Sequence, residues 1–355
     1  MADLPDLPFL VVLYVILPRL PPKVVTQCKV VCKQWLSFLS SPEFLRLHCY
    51  FMRTSVDQKI ITAALRSCIV RSLDRESPNF NLPTNVHTPF NCQSYNLLFI
   101  SSLDGMLCVC LKKTCELAVW NPLTHVYRKL SNSNGQGFYD LEYDSLGICI
   151  DSSYDYIIVH IKRIHSILTI WIYSMRQNSW STIRCLEDTV YLGHTSTWSP
   201  GTLCGNSLYF TVCQGCRSGN ETLLRFDVDS RMFSVIGFPN VCGQQVLGNL
   251  VNIRDELHLI LHSGFYNLHV ELWKLQTETW MKVFVYPHAV HKPVSLVSTI
   301  KYVNATGNCI EVDLMSGAVG QIDLSMNEIT GFSNLPLYES LSTVIYHETI
   351  VSPDL

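Results

Sequence analysis

The chain has 355 residues, of which 48% are hydrophobic and 15% are charged, and its formal net charge is −3. This composition excludes a disordered chain, which would lack the apolar residues that a core requires, and the length allows one large domain with an accessory module. The negative charge argues against a dedicated nucleic-acid binder, and 15 cysteines without a spacing framework indicate reduced thiols in an intracellular protein.

The first feature along the chain is an apolar run, Phe9–Leu17, of nine residues. A membrane span needs roughly 20 such residues. A signal peptide starts with positive charge, whereas this run follows Asp3 and Asp6 and ends at Pro18-Arg19. We therefore expect neither a membrane span nor secretion, and we interpret the run as the first helix of a small module.

Residues 4–52 are predicted to form three or four short helices. Between Val24 and Leu39, apolar residues recur at the i, i+3, i+4 and i+7 spacing of a helical face. Another helix is predicted to start with Ser41 as its N-cap and Pro42 at its first position. Helices this short cannot bury their apolar faces alone, so they need a partner, which is either the following domain or another protein.

The charge of this module differs from that of the whole chain. Residues 1–53 hold six Lys or Arg against three Asp or Glu, although the complete sequence is negative. This imbalance favours an acidic partner for the module, and a solvated helix face is the simpler explanation.

The order and spacing of motifs in this module resemble an F-box of the plant type. These motifs are Leu7-Pro8, Ile16-Leu17-x-Arg19-Leu20-Pro21-x-Lys23, Cys28-x3-Cys32-Lys33-x-Trp35 and Ser41-Pro42-Glu43-Phe44. The resemblance implies docking onto the Skp-type adaptor of a cullin–RING ubiquitin ligase. The adaptor contacts that it implies are Leu7, Pro8, Ile16, Leu17, Leu20, Pro21, Cys32 and Trp35. Without the resemblance, the module would be interpreted as a helical cap on the following domain.

The first helix departs from the family pattern. It is apolar throughout, it holds one extra residue between Leu7-Pro8 and Leu20-Pro21, and Pro18 occupies a usually polar position. A proline inside a helix removes one backbone hydrogen bond and biases the preceding residue, here Leu17, away from the α conformation. We therefore expect the adaptor-facing helix to be shortened or shifted.

Residues 56–351 are predicted to form an all-β domain, because short runs of β-branched and aromatic residues alternate with Gly, Asn, Asp and Ser. A polar turn followed by a strand that starts with a large apolar residue recurs along this segment. The recurring residues are Tyr127, Trp180, Phe233, Trp280 and Ile329, at separations of 53, 53, 47 and 49. A period near 50 with about four strands per unit predicts the blades of a β-propeller.

One unit can be assigned strand by strand. Its predicted strands are 96–102, 106–111, 116–120 and 126–130. Asp104-Gly105 forms the first hairpin turn and Asn121-Pro122 opens the last turn. Five such units leave up to three strands within 58–82 and one within 341–350, which predicts a sixth four-stranded blade that closes the ring.

The β domain also resembles the plant F-box-associated domain, a kelch-like or galactose-oxidase-like β-propeller. The motifs that carry the resemblance are Gly105-Met-Leu-Cys108, Trp120-Asn121-Pro122 and Tyr338-x-Ser340-Leu341, with Leu224-Arg-Phe226-Asp227 as a looser match. Together the two resemblances imply a cytoplasmic or nuclear substrate-recognition subunit, which binds the adaptor through the helices and a protein substrate through the propeller. They do not identify the substrate.

Motifs for catalysis or metal binding are not found. Cys213-Gln-Gly-Cys216 is a single C-x-x-C pair, whereas structural zinc needs four ligands, and His258, His262 and His269 lack metalloprotease spacing. We therefore expect no metal, no cofactor and no enzymatic activity. Two alternatives remain, namely a propeller binding module without ligase function and a propeller enzyme or lectin that uses the central axis.

Substrate-binding candidates are aromatic residues that break the repeat, because loops on rigid scaffolds often carry binding residues. They are Phe138, Tyr139, Tyr154, Trp198, Phe265 and Tyr266. The repeating residues Tyr127, Trp180 and Trp280 are instead expected to pack between strands.

Overall fold

The structure is a computed structural model, and it consists mainly of antiparallel β-sheets preceded by short helices. It describes residues 9–55, 59–64, 70–74, 84–90, 97–111, 113–130, 144–164, 167–183, 196–214, 221–239, 246–263, 269–286, 297–303, 309–314, 319–323, 328–333 and 340–354. Within these ranges, none of the helices has the length and apolar character needed to cross a membrane.

Residues 9–55, called the head below, contain all the helices of the described chain. The α-helices are α1 (Phe9–Val11), α2 (Pro22–Cys28), α3 (Lys33–Leu39) and α4 (Pro42–Thr54). A π-helical turn (Val12–Ile16) and a 3-10 turn (Leu17–Arg19) connect α1 to α2. The start of α4 is as predicted, since the Ser41 hydroxyl accepts a hydrogen bond from the Phe44 amide at 3.2 Å and Pro42 holds the first position.

The predicted effect of Pro18 on the residue before it is wrong. Leu17 has φ −57° and ψ −38°, which is α-helical, and its amide donates to the Val12 carbonyl five residues back. The π turn provides one residue more than an α turn, which suits the extra residue inferred from the sequence. Leu17 and Pro18 are both buried, and packing of these two side chains outweighs the local preference.

His48 of α4 completes this irregular segment. It is fully buried, and its Nδ1 atom lies 3.0 Å from the Pro18 carbonyl oxygen. Nδ1 must carry the proton, because a carbonyl can only accept. Burial lowers the pKa of His48, so the ring is held in its neutral form.

The body consists of six antiparallel sheets in the described part of the chain, each with four or five strands. Sheet I contains β1 (Lys59–Ala64), β2 (Val70–Asp74) and β3 (Thr84–Val86) together with β25 (Ser340–Tyr346). Sheet II contains β4 (Leu97–Leu103), β5 (Met106–Leu111), β6 (Glu116–Trp120) and β7 (Tyr127–Lys129). Sheet III contains β8 (Asp144–Ile150), β9 (Tyr156–Ile164), β10 (Ile167–Ser174) and β11 (Ser179–Ile183).

The remaining sheets follow the same order along the chain. Sheet IV contains β12 (Ser196–Trp198), β13 (Thr202–Cys204), β14 (Ser207–Gln214), β15 (Glu221–Asp227) and β16 (Met232–Ile236). Sheet V contains β17 (Val246–Ile253), β18 (Glu256–Ser263), β19 (His269–Gln276) and β20 (Thr279–Tyr286). Sheet VI contains β21 (Val297–Val303), β22 (Cys309–Leu314), β23 (Val319–Asp323) and β24 (Glu328–Ser333). In sheet I, β25 pairs with β1 and occupies the edge that the first strand occupies in the other sheets.

The sequence repeat coincides with the last strand of each sheet from II to VI. Tyr127, Trp180, Phe233, Trp280 and Ile329 lie in β7, β11, β16, β20 and β24. The polar turns before β7, β11, β16 and β20 each contain a residue in the left-handed region, as at Asn178 (φ 51°) and Arg231 (φ 55°). The aromatic side chains pack on neighbouring strands, as expected, and the Trp180 and Tyr173 rings have centroids 5.1 Å apart.

Neighbouring sheets contact each other through the strands at their first edge, in the order β25, β4, β8, β13, β17 and β21. In sheet IV this edge consists of β12 and β13, which both pair with β14. Side chains reinforce these contacts, since the Ser102 hydroxyl donates to the Ile345 carbonyl and the Asn252 amide donates to the Leu203 carbonyl at 2.7 Å. Sheets III and IV approach more closely still, because the Gly201 amide donates to the Leu146 carbonyl at 2.9 Å. The sheets are therefore packed side by side and give the body a propeller-like form.

Candidate functional site

The head exposes many large apolar side chains around a small buried core. The core consists of Leu13, Leu17, Val25, Leu39, Phe44 and Leu45 together with Ile350 from the far end of the described chain. The exposed apolar residues are Phe9, Leu10, Val11, Tyr14, Val15, Ile16, Val24, Val30, Val31, Leu36 and Tyr50. Val30 is 86% exposed and Leu10 is 67% exposed, which leaves uncovered apolar surface of the kind that marks protein interaction sites.

The exposed apolar residues just named are called the apolar head surface below. The first helix supplies six of them, Phe9, Leu10, Val11, Tyr14, Val15 and Ile16. Leu13 and Leu17 point into the core, whereas Tyr14, Val15 and Ile16 are 50%, 46% and 38% exposed. A helix that is apolar on its exposed side is either covered by a partner or liable to aggregate. The absence of charged residues from Phe9–Leu17 therefore enlarges this apolar surface.

The structure distributes the predicted adaptor residues between the surface and the core. Leu7 and Pro8 lie outside the described residues. Ile16, Pro21 and Cys32 are exposed, Leu20 and Trp35 are half-buried against the core, and Leu17 is buried at 2% exposure. Leu17 therefore belongs to the head core and not to the exposed surface that could contact a partner. The Cys32 sulfur accepts a hydrogen bond from the Trp35 amide at 3.5 Å, which caps α3.

A partly buried ion pair joins the head to the body. Arg53 of α4 donates two hydrogen bonds to the Asp104 carboxylate, with Nε–Oδ1 and Nη2–Oδ2 distances of 2.7 and 2.6 Å. The Tyr156 hydroxyl donates to the same carboxylate at 2.8 Å, and the Asp104 side chain is 0% exposed. Asp104 belongs to the predicted hairpin turn, where φ is 49° at Asp104 and 77° at Gly105, the pattern of a type I′ turn.

The electrostatics of this junction follow from its burial. Burial raises the pKa of the Tyr156 hydroxyl well above its usual value, and the charge of Asp104 adds to the effect. Burial also raises the pKa of the Cys49 thiol on α4, again with a contribution from Asp104. For Arg53, burial alone would lower the pKa, but the hydrogen bonds and charge of Asp104 outweigh it and the net shift is upward. Arg53 and Asp104 are thus the charged pair, while Tyr156 and Cys49 stay neutral.

The segment after β25, residues 347–354, lies between the head and the body and is called the closing segment below. Ile350 is in the head core, whereas Val351 belongs to a body core that also includes Met106 and Tyr173. Thr349 is fully buried, and its hydroxyl donates to the Asp104 carbonyl. The closing segment therefore contacts both parts through alternate side chains.

Asn121 holds the backbone of the closing segment. Its amide nitrogen donates to the Thr349 carbonyl at 3.0 Å and to the Val351 carbonyl at 2.6 Å. Its amide oxygen accepts from the Leu123 and Thr124 amides at 2.9 and 3.3 Å. Asn121 is fully buried, and its two hydrogen bonds to the closing segment are buried as well, whereas the bonds from the Leu123 and Thr124 amides are partly buried.

The predicted substrate-binding aromatics are only partly described. Phe138, Tyr139, Phe265 and Tyr266 lie outside the described residues. Tyr154 lies in the turn between β8 and β9 with φ 60° and is 59% exposed, and the Arg46 guanidinium of the head sits 4.5 Å from its ring centroid.

Trp198 is not a loop residue as predicted, because it lies in β12 and packs half-buried against a core that includes Phe210 and Phe226. Its indole Nε1 is buried and has no hydrogen-bond partner among the described residues.

Metal-ligand geometry is absent from the described residues, where no three His, Cys, Asp or Glu side chains come together suitably. Cys108 and Cys110 are buried in β5. His258 and His262 lie in β18 and His269 lies in β19, so the three histidines share sheet V.

Comparison with known proteins identifies the family. Residues 53–308 match the family described as the F-box associated beta propeller domain. The chain belongs to this family. It is 25% identical over 319 residues to F-box protein CPR1 of Arabidopsis thaliana, a match that covers 79% of this chain and 72% of that protein. It is 24% identical over 288 residues to the F-box/kelch-repeat protein At3g23880 of the same plant, with 77% of each chain covered.

Similarity to solved structures is limited to the fold. The crystal structure of TolB from Acinetobacter baumannii superposes with a TM-score of 0.50 at 10% sequence identity, over 84% of this chain and 72% of that chain. The function must therefore be argued from the F-box-associated family and from the head and junction described above.

The F-box-associated motifs have structural roles in this chain. Trp120 is fully buried in a body core, and its neighbour Asn121 fixes the closing segment. Gly105 lies so close to Thr349 that a Cβ atom there would be 2.6 Å from the Thr349 hydroxyl oxygen. These motifs therefore describe how the fold is held together, as expected, and not what it binds.

Sequence reasoning missed the residues that join the head to the body. The sequence marks Asp104 only as part of a hairpin turn and Arg53 only as one charge of the head, and it gives no signal for Thr349 or Ile350. An Asp-Gly turn whose carboxylate has no local partner is a weak signal for such a role, and the partners of Asp104 lie 51 and 52 positions away.

Proposed function

We propose that this protein is the substrate-recognition subunit of a Skp–cullin–F-box ubiquitin ligase. The head would bind the Skp-type adaptor, and the body would bind a protein substrate that then receives ubiquitin. The subunit performs no covalent chemistry under this proposal. It raises the effective concentration of the substrate near the ubiquitin-charged enzyme.

The observation that carries the proposal is the apolar head surface. It lies on a module with F-box motif spacing, in a chain whose relatives are F-box proteins. Val30, Val31 and Leu36, at 86%, 64% and 50% exposure, flank the predicted contacts Cys32 and Trp35. Burial of apolar surface is the dominant favourable contribution to most protein–protein association.

We further propose that the six sheets are the blades of one closed propeller, with sheet VI adjacent to sheet I. Two observations support this arrangement, namely the contacts that link the first edges of the sheets from β25 to β21 and the pairing of β25 with β1. A closed ring removes exposed sheet edges. An experimental structure of the chain with its adaptor tests the proposal, and an open arc or a different blade number would refute it.

Co-purification tests adaptor binding. The intact protein is expected to retain a Skp-type adaptor, and the exposed substitution Leu36→Asp should weaken adaptor affinity at least about tenfold, because it buries a charge in an apolar interface. Val235→Asp is the matched control, since Val235 is also 50% exposed but lies in β16 of the body.

Two results would contradict the docking proposal. One is that the intact protein does not retain the adaptor. The other is that Leu36→Asp and Val235→Asp bind it equally well. Trp35→Ala is less informative, because the half-buried Trp35 ring packs on the head core and its loss also affects folding.

The irregular first helix favours a second candidate, a propeller binding module without ligase function. The π turn at Val12–Ile16 departs from regular helical geometry and could place adaptor contacts out of register. Replacing residues 9–18 with a charged amphipathic helix should then create adaptor binding in a protein that lacked it. Unaltered binding after this replacement would count against the second candidate.

A further inference from the structure

The closing segment is fixed to the body by its backbone and by Thr349. The Thr349 hydroxyl donates to the Asp104 carbonyl and accepts from the Val351 amide, the latter at 3.3 Å. Asn121 binds the carbonyls on both sides of Ile350. These hydrogen bonds leave Ile350 little freedom to turn away from the head.

The side chain of Ile350 completes the head core. It is 6% exposed and shares that core with Leu17, Phe44 and Leu45. Leu123, which lies in the turn that Asn121 organises, packs on the same cluster. One body element thus provides both the anchor of the closing segment and an additional apolar contact to the head.

The second attachment uses a different turn, Asp104-Gly105. The Asp104 carbonyl accepts a hydrogen bond from the Thr349 hydroxyl, while the Asp104 carboxylate accepts two from Arg53 of α4. The close approach of Thr349 is possible because residue 105 is glycine. The Asp104-Gly105 turn is therefore the point at which α4, the closing segment and the body meet.

From this geometry we infer that Thr349 and Ile350 are positioning residues, which hold the head in one orientation relative to the propeller-like body. The inference rests on the proposed function, because a fixed orientation matters when the head carries an adaptor and the body carries a substrate. A loosened head would keep its own docking residues and yet present the adaptor at variable angles. The distance between substrate and ubiquitin-charged enzyme would then vary, which lowers transfer without removing adaptor binding.

The distance between head and body can be measured in the full chain. Spin labels are attached through non-natural amino acids at the exposed positions Ser37 and Ser234, since 15 cysteines preclude thiol labelling. We expect one narrow distance peak for the otherwise unchanged protein. The pair Thr349→Val with Ile350→Ala should at least double its width, and the conservative pair Thr349→Ser with Ile350→Val should restore it.

Val228→Ala is the matched control, because Val228 is 1% exposed in a body core away from the junction. A width that is unchanged in the Thr349/Ile350 variant, or one that grows as much in Val228→Ala, would overturn the inference. If the double variant does not fold, Thr349→Val alone is measured against Thr349→Ser with the same two criteria. Adaptor retention is measured separately for the unchanged protein and for each variant. If the unchanged protein does not bind the adaptor, the proposed function is refuted, whereas the positioning role is tested only by the width of the distance peak.

Discussion

Replacing Asn121 with leucine tests the hydrogen bonds that hold the closing segment. The side chains have similar volume, so the substitution removes four hydrogen bonds without leaving a large cavity. The Thr349 and Val351 carbonyls are buried and would lose their amide donor, at about 1–2 kcal/mol each, whereas the partly buried Leu123 and Thr124 amides can recover water and cost about 0.5 kcal/mol each. We therefore expect the free energy of unfolding to fall by about 3–5 kcal/mol.

Urea unfolding followed by tryptophan fluorescence measures this loss, with Asn206→Leu as the control. The Asn206 amide also donates to an oxygen at 3.0 Å, that of Asp229, but it lies at an exposed turn. Its substitution should cost less than about 1 kcal/mol. A loss below about 1 kcal/mol for Asn121→Leu, with an unchanged denaturant slope, would refute the assignment of Asn121 as the anchor.

Three other perturbations probe the junction and the head. Arg53→Met should lower the free energy of unfolding by about 2 kcal/mol, because it leaves the buried Asp104 carboxylate without its cation; the loss is modest because Arg53 itself is 45% exposed. Adding Asp104→Asn should recover part of this loss, and a strictly additive double-mutant cycle would contradict the pairing. Burial lowers the pKa of His48 below 6.5, so the stability that neutral His48 contributes is present above about pH 6.5 and is lost as the pH falls toward the lowered pKa. His48→Gln should therefore reduce the fall in urea midpoint between about pH 7.5 and 5.5, and an unchanged pH dependence would contradict this role of His48. Gly105→Ala should lower the free energy of unfolding by about 3 kcal/mol, as measured by urea unfolding, because the new Cβ adds left-handed backbone strain and collides with the closing segment. Gly205→Ala is the control and should cost about 1 kcal/mol, because Gly205 also has a positive φ but no atom lies within 4 Å of its new Cβ. Equal losses would exclude the collision.

The strand repeat could be predicted because it depends on local signals. The Asp104-Gly105 turn requires two residues with positive φ, and this dipeptide favours that geometry. The large residues that start the last strands, such as Trp180 and Phe233, recur because each sheet needs the same packing element. Such signals lie within a few residues of the structure they specify, so one sequence is sufficient to detect them.

The junction could not be predicted in the same way, because its partners are distant in sequence. Asn121 belongs to a visible motif, yet its acceptors at Thr349 and Val351 are 228 and 230 positions away. Leu17 kept its helical conformation against the local effect of Pro18 because core packing and the π turn decided it. Trp198 looked like a loop residue, but sheet IV divides its first strand into β12 and β13 and so places Trp198 in a strand.

The position of Ile350 in the head core also has a consequence for synthesis of the chain. The helices that surround Ile350 leave the ribosome first, but the residue that completes their core follows about 300 positions later. At about 5–20 residues per second, this interval lasts on the order of 15–60 s. During that time the head lacks one residue of its core and has an exposed apolar surface, so we expect chaperones to bind it. A chain released before residue 350 could not finish its head, which links presentation of the apolar head surface to synthesis of the entire body.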